Sequence, residues 1–454
     1  MGKEAMFRDQ PIWKAILTLA VPSVLTILVM VIYNIADMFF IGMLGDDNQV
    51  AAVAVVGPVF SLATAVGTTI GAGGCTVIAN VLGAGEREQA KNLSSLCIWA
   101  SIGFGAVFAV LLLLATKPIL HLLGATEDLM GNAGAYMRIL ALGSPLMLFS
   151  MVMASAIRAE GILLPGMLSH MAGTVTNLVL DPLFILNLRL GVSGAAIATV
   201  IGNLLASVIL VIVIRTRSAV MKFEPSYGLQ KPSLLLRIVM VGLPNGVSSI
   251  LSGLASTFSN RLLKLYGAGA IAAMAAAGRA VMLITMIQMG ICIGVTPLLA
   301  FNYGAGNIPR LRETLQKAAI LTVSFGLLSA LGCYLGRDAL IGLFLKDAAN
   351  LALGSRLMLW LIAASPFLGF YYLSSNFLQA AGNALQATVV SALRQGALLI
   401  PALYIMHRFL GLTGIAAAHT VADACAVAVA LAFGLRQYKK LALASFFAKG
   451  STKP

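Results

Sequence analysis

Charge is scarce in this sequence. Only 10% of its 454 residues are charged and 59% are hydrophobic, against about 25% and about 45–50% in an ordinary soluble domain. A folded chain of this length still shows much of its surface to water, so self-packing cannot hide the excess. Mean hydropathy is +0.95. A soluble enzyme, a disordered chain and a secreted disulfide scaffold are all disfavoured, and the bilayer is the solvent that remains. Cysteine is scarce too: the five residues lie in apolar surroundings without metal-ligand spacing, which predicts buried, reduced thiols. The first apolar stretch is long and lacks a convincing cleavage site, so no cleavable signal peptide is expected. No G-x-x-x-x-G-K-[ST] or H-E-x-x-H motif occurs anywhere. Nucleotide phosphates and a zinc nucleophile therefore have no visible seat, and the chain is not expected to be an enzyme.

What is present is long apolar runs. Ten stretches of at least 19 residues carry no Asp, Glu, Lys or Arg: 15–36, 48–85, 92–116, 139–157, 161–180, 190–214, 238–260, 280–309, 318–336 and 357–393. A helix needs about 20 mostly apolar residues to cross the hydrocarbon. Two further apolar segments, 386–407 and 412–435, carry Arg394 and Asp423. The expectation is an all-α polytopic membrane protein with twelve transmembrane helices. The short alternating segments of a β-barrel are missing.

The net charge of +14 comes from 30 basic against 16 acidic residues. With the N-terminus placed inside, nineteen basic residues fall in inside segments and eight outside. This is the bias of the positive-inside rule, and it explains the high pI without nucleic acid. It predicts a multi-pass protein of the plasma (cytoplasmic) membrane with both termini cytoplasmic.

The chain also repeats itself. Pro22 matches Pro244, Gly45 matches Gly267, Gly57 matches Gly278, and Gly83-Ala84-Gly85 matches Gly304-Ala305-Gly306. Ser144-Pro145 matches Ser365-Pro366, Ala159 and Gly161 match Ala380 and Gly382, and Gly191-x-x-Gly194 matches Gly411-x-x-Gly414. The offset drifts only from 222 to 220. The reading is an N-terminal six-helix lobe (1–220), a cytoplasmic inter-lobe loop (221–233) and a C-terminal six-helix lobe (234–454). An even number of spans per half gives two six-helix repeats of the same orientation, related by a pseudo-two-fold axis along the membrane normal. Such parallel repeats are a secondary-transporter design with alternating access.

The ordered motifs resemble the MATE (multidrug and toxic compound extrusion) family, in its DinF-like, MepA-like branch. The resemblance rests on Pro22 with Tyr33-Asn34-Ile35-Ala36-Asp37-Met38-Phe39-Phe40-Ile41-Gly42, on Leu82-Gly83-Ala84-Gly85 and on Asn302-Tyr303-Gly304-Ala305-Gly306-Asn307. It also rests on Asn177-Leu178-Val179-Leu180-Asp181-Pro182 and on the stretch from Gly191 to Thr199. It covers essentially the whole chain and implies an antiporter that exports organic, usually cationic, compounds against inward H⁺ or Na⁺. The partners implied are small organic cations and the lipid bilayer, with no nucleic acid, no cofactor beyond a possible Na⁺, and a monomeric state. The rival is a flippase for lipid-linked precursors or polysaccharides, which often has fourteen spans and a cationic cavity.

Charges inside a bilayer are costly and are functional hypotheses by default. Asp37 closes the charge-free first span. Asn177 and Asp181 are four apart and share one helix face, and Pro182 removes the N–H that would serve the Leu178 carbonyl. Asp37, Asn177 and Asp181 thus offer oxygen donors suited to Na⁺, or clustered carboxylates suited to a proton. The resemblance assigns the coupling site to Asp37, Asn177, Asp181 and Thr199. In the second half Asp37 maps to Ser259 and Asp181 to Pro401, so no acid stands there. Instead Arg394, His419 and Asp423 form a secondary polar group, either structural or functional. Candidates for the substrate cavity are Tyr33, Met147, Met151, Met153, Met282, Met286, Met289, Gln288, Tyr371, Tyr372, Asn376 and Gln379, because thioethers and aromatic faces suit varied cations. Most methionines of the chain are expected simply to fill helix interfaces, and the tyrosines serve equally as span packing or interface anchors.

Overall fold

The computed structural model describes residues 3–42, 47–229 and 231–450, excepting the side chains of 3–4, 33–39, 41–42, 47, 229 and 443–450. Among the described residues there is no strand, and twelve helices are long and apolar enough to cross a membrane. In chain order they are α1 (Ile12–Gly42), α2 (Asp47–Gly83), α3 (Arg87–Leu114), α4 (Glu127–Glu160), α5 (Leu163–Asn187) and α6 (Gly191–Arg217). The second six are α7 (Ser233–Tyr266), α8 (Ala268–Gly304), α9 (Ile308–Leu335), α10 (Ala348–Ala380), α11 (Ala384–Leu410) and α12 (Leu412–Gly450). Helices satisfy every backbone group within one segment, as hydrocarbon demands. Leu114, Leu122, Leu343 and Phe409 are each more than three-quarters exposed. Water would penalise that surface, whereas lipid tails would not. The thiols follow the same logic: Cys75, Cys97 and Cys292 are buried as expected, but Cys425 is exposed, because an outward-facing thiol in a bilayer still meets an apolar solvent.

The chain divides into two units. One is built on Leu25–Gly242, the other on Phe7–Val24 together with the chain from Leu243 onward. The units therefore do not follow a single cut at 221–233. The first turns of α1 belong with the second unit and the first turns of α7 with the first.

Glycine makes each of these placements possible. In the second unit, a Cβ on Gly294 of α8 would lie 2.6 Å from the Leu19 carbonyl oxygen of α1. In the first unit, a Cβ on Gly73 of α2 would lie 2.0 Å from the Ile238 carbonyl oxygen of α7. Gly73 and Gly294 are 221 apart, so both halves build the same crossing. Bilayer helices associate through such small-residue approaches because lipid supplies no hydrophobic drive.

The repeat reaches the cores. Ala52, Val56, Leu120, Met137 and Ala141 pack together in the first unit, and Ala273, Ala277, Ile341, Met358 and Ile362 do so in the second. Each pair is again 221 apart. The turns after α2 and α8 match as well. Gly85 and Gly306 take φ of +82° and +64°. Glu86 N–H donates to the Val81 carbonyl at 3.0 Å, and Asn307 N–H to the Asn302 carbonyl at 3.0 Å. Both are helix C-termini closed by a left-handed glycine, so the Gly-Ala-Gly repeats are structural turns.

Polar groups anchor the segments leading into α1 and α7. Arg310 at the start of α9 donates Nε to the Phe7 carbonyl at 2.7 Å and a terminal nitrogen to the Gln10 carbonyl at 2.6 Å. Phe7 stacks on Phe301 with ring centroids 5.2 Å apart. In the first unit the buried Glu160 accepts from the Ser218 hydroxyl and from Ala219 N–H. Ser94, Ser95 and Trp99 of α3 donate to the carbonyls of Val220, Glu224 and Phe223.

Candidate functional site

The first polar site sits where α5 crosses α6. Gly173 and Gly202 face each other there, and a Cβ on either would come within 2.6 Å of the other's carbonyl oxygen. One turn along, this close approach presses Asn177 against α6. Asn177 is 3% exposed and Asp181 is fully buried. The Asn177 amide, oriented so that both ends are satisfied, donates to Asp181 Oδ2 at 3.1 Å. Its oxygen accepts from Thr199 N–H at 2.9 Å and from the Thr199 hydroxyl at 3.2 Å. The network runs on: Asn203 Nδ2 donates to the Thr199 carbonyl at 2.9 Å, and the Ser150 hydroxyl donates to Asn203 Oδ1 at 3.1 Å.

Asn177 and Asp181 are therefore brought together as their spacing suggests, and Thr199, named by the resemblance, joins them. Asn203 and Ser150 extend the set to α4 and were missed. The signal for Asn203 was its position four residues after Thr199 on one helix face. Directly after Asp181-Pro182 the helix widens into a π-turn, Leu183–Asn187, in which Leu188 N–H donates to the Leu183 carbonyl at 2.9 Å. Such turns are frequent at functional sites. Asp37 and Tyr33 lie on the helical backbone of α1, but their side chains are outside the described residues.

Carboxylate, amide and hydroxyl oxygens dominate this site. Buried away from water, such a set can hold a proton on a carboxylate or give oxygen ligands to a small hard cation.

A second site occupies the matching junction of α10, α11 and α12. Arg394 stands in another π-turn, Leu393–Ala397. Its Nε lies 2.7 Å from Asp423 Oδ1, and a terminal nitrogen donates to the Tyr372 hydroxyl at 3.1 Å. The guanidinium carbon sits 4.8 Å from the Tyr371 ring centroid and 5.3 Å from that of Tyr372. The grouping of Arg394 with Asp423 thus holds, with two tyrosines added. His419 stays on its own helix, its Nδ1 3.0 Å from the Ile415 carbonyl.

The other cavity candidates divide by burial. Met153 and Gln288 are fully buried. Gln288 donates to the carbonyls of Thr322 and Pro366 at 3.2 and 3.3 Å, which gives it a packing role among α8, α9 and α10. Gln379 accepts from Asn245 at 3.0 Å and is 3% exposed. The sulfur of Met151 rests on Gly67 of α2. Met147, Met286, Met289 and Asn376 are half-buried, and Met282 is exposed.

A family model described as MatE matches residues 22–183 and again 244–405, one copy in each half and 222 residues apart. The chain belongs to the MATE family. It is 32% identical over 426 residues to the multidrug export protein MepA of Staphylococcus saprophyticus, covering 94% of each chain. It is 30% identical over 427 residues to MepA of Staphylococcus aureus, again covering 94% of each. Among solved structures, the MATE transporter VcmN of Vibrio cholerae in its bent form aligns with a TM-score of 0.87 at 25% identity, over 97% of this chain and 99% of that one. A transporter of the MOP superfamily from Pyrococcus furiosus aligns with a TM-score of 0.88 at 24% identity, over 96% and 98%; that likeness bears on the fold alone. Family membership fixes the frame for the two polar sites: a multi-pass membrane transporter with no enzymatic cofactor. Asn177, Asp181 and Arg394 fall within the matched segments, whereas Thr199 and Asp423 lie beyond them.

Proposed function

We propose that this MATE protein is a multidrug efflux antiporter of the plasma membrane. It exports organic, amphipathic cations in exchange for inward H⁺ or Na⁺ by alternating access between its halves. It works as a monomer with both termini cytoplasmic. The observation that carries this reading is the fully buried Asp181, held by Asn177, which is itself tied to Thr199. A carboxylate at such a place is costly in a bilayer, and a site that loads and releases a positive charge gives it a use. In this reading Asp37, Asn177, Asp181 and Thr199 form the coupling site. Loading it changes the local charge by one, and that change biases which side of the membrane the protein faces. Arg394 and Asp423 belong to the substrate side, as do the half-buried methionines. The kinship with MepA, whose name describes multidrug export, supports the substrate class.

The test is ethidium efflux from proteoliposomes under an imposed proton or sodium gradient. Efflux driven by one of the two is expected. Efflux that responds to neither gradient refutes antiport.

A further inference from the structure

The Arg394 guanidinium sits as an organic cation would sit in a binding site. Two aromatic faces cover it at 4.8 and 5.3 Å, a phenolic oxygen accepts at 3.1 Å, and a carboxylate closes the set at 2.7 Å. Cation–π contact strengthens when the cation is desolvated, and the carboxylate adds a charge-assisted hydrogen bond.

Packing alone does not require this arrangement. Tyr371 and Asp423 correspond through the repeat to Ser150 and Asn203. Those two residues join α4 to α6 with one neutral hydrogen bond of 3.1 Å. The equivalent helices α10 and α12 therefore need neither a buried charge nor aromatic faces to stay together. The second half nevertheless has an expensive ionic link where the first has a cheap neutral one. It also places the arginine in a π-turn, Leu393–Ala397, whereas the matching stretch of α5 is regular helix. The pair is not sealed: the Arg394 side chain is 11% exposed and that of Asp423 19%.

We infer that Tyr371, Tyr372 and Asp423 form a receptor for a planar organic cation, with Arg394 as its tethered occupant until such a cation displaces it. The choice of ligand rests on the proposed export of organic cations. Arg394 competes from a fixed position at high local concentration, so it weakens binding of the free cation and helps to expel it. A cation bound here releases the guanidinium from Asp423, which couples substrate arrival to the α11–α12 contact.

The experiment is ethidium binding to the purified full-length protein in detergent, read by fluorescence anisotropy without any gradient. Arg394→Met removes the competitor and keeps the stem, so ethidium should bind about tenfold more tightly than to wild type. Asp423→Asn and Tyr371→Leu should each weaken binding. Arg394→Met leaves Asp423 without its partner and can fail to fold. The neutral pair Arg394→Met with Asp423→Asn then decides, since it buries no charge, and it should bind ethidium more tightly than Asp423→Asn alone. Equal or weaker binding on removal of Arg394, in either background, overturns the inference. The antiport reading fails separately, through loss of any gradient response while this order of affinities is kept.

Discussion

Gly202→Ala puts the α5–α6 junction to a quantitative test. The new Cβ would stand 2.6 Å from the Gly173 carbonyl oxygen and 3.2 Å from the Asn177 Cβ. Ordinary van der Waals contact begins near 3.4 Å, so the helices must part by about 0.8 Å on the shorter contact. The obstacle is backbone, which has no rotamer with which to yield. The bonds that cross from α6 to α5, from the Thr199 N–H and hydroxyl to the Asn177 oxygen, measure 2.9 and 3.2 Å. Lengthened by that amount they exceed about 3.6 Å and cease to be hydrogen bonds. Overpacking of this kind costs about 1–3 kcal/mol, and an unsatisfied buried amide adds about 1–3 kcal/mol more. We expect a loss of about 2–6 kcal/mol in stability and loss of gradient-driven efflux, because the Asn177 amide that donates to Asp181 is no longer held in place by α6. Thermal unfolding of the purified protein measures the first and proteoliposome flux the second. An alanine variant with wild-type melting temperature and wild-type flux refutes the claim that this glycine pair builds the site.

Four further outcomes follow from the same structure. Asp181→Asn and Asp37→Asn should each insert and fold but abolish coupled ethidium export, checked by surface expression and flux in the same cells; normal export refutes the coupling assignment. Asp423→Asn strands Arg394, which costs roughly 3–5 kcal/mol for a fully buried pair and less here because the Asp423 side chain keeps 19% of its exposure; the melting temperature reads it. Glu160→Ala removes both acceptors for Ser218 and Ala219, worth about 1–3 kcal/mol for each buried group left unmet. Trypsin should then cut after Arg217 and Lys222 roughly ten times faster, and an unchanged cleavage rate argues against the anchor. Arg310→Ala should raise hydrogen–deuterium exchange across residues 7–12, since two charge-assisted bonds of about 1.5–3 kcal/mol each are lost.

Much of this was legible in the chain. Long charge-free runs announce spans because hydrocarbon tolerates little else, and all twelve are helices in the structure. The offset of about 221 announces two copies of one unit, and it recurs in the cores, the glycine turns and the MatE matches. The pairing of Asn177 with Asp181 needed only helical spacing. Their tie to Thr199 did not follow from spacing, since 22 residues and a turn separate Asn177 from it. The unit boundary was also illegible. Pro22 and Pro244 are visible in the sequence, but which unit the first turns of α1 and α7 join depends on contacts at Gly294 and Gly73.

Local physics explains the division. Composition and period are one-dimensional signals, so the sequence alone determined span number, helix type, the duplication and the short list of intramembrane charges. Partner choice is a matter of distance between helices that are far apart in sequence. Only the tertiary structure decided that Gly173 meets Gly202, that Asn203 and Ser150 prolong the polar chain, and that the Arg394 guanidinium lies over the rings of Tyr371 and Tyr372. In hydrocarbon a polar side chain must find a partner, and which partner it finds is set by how closely two backbones can approach.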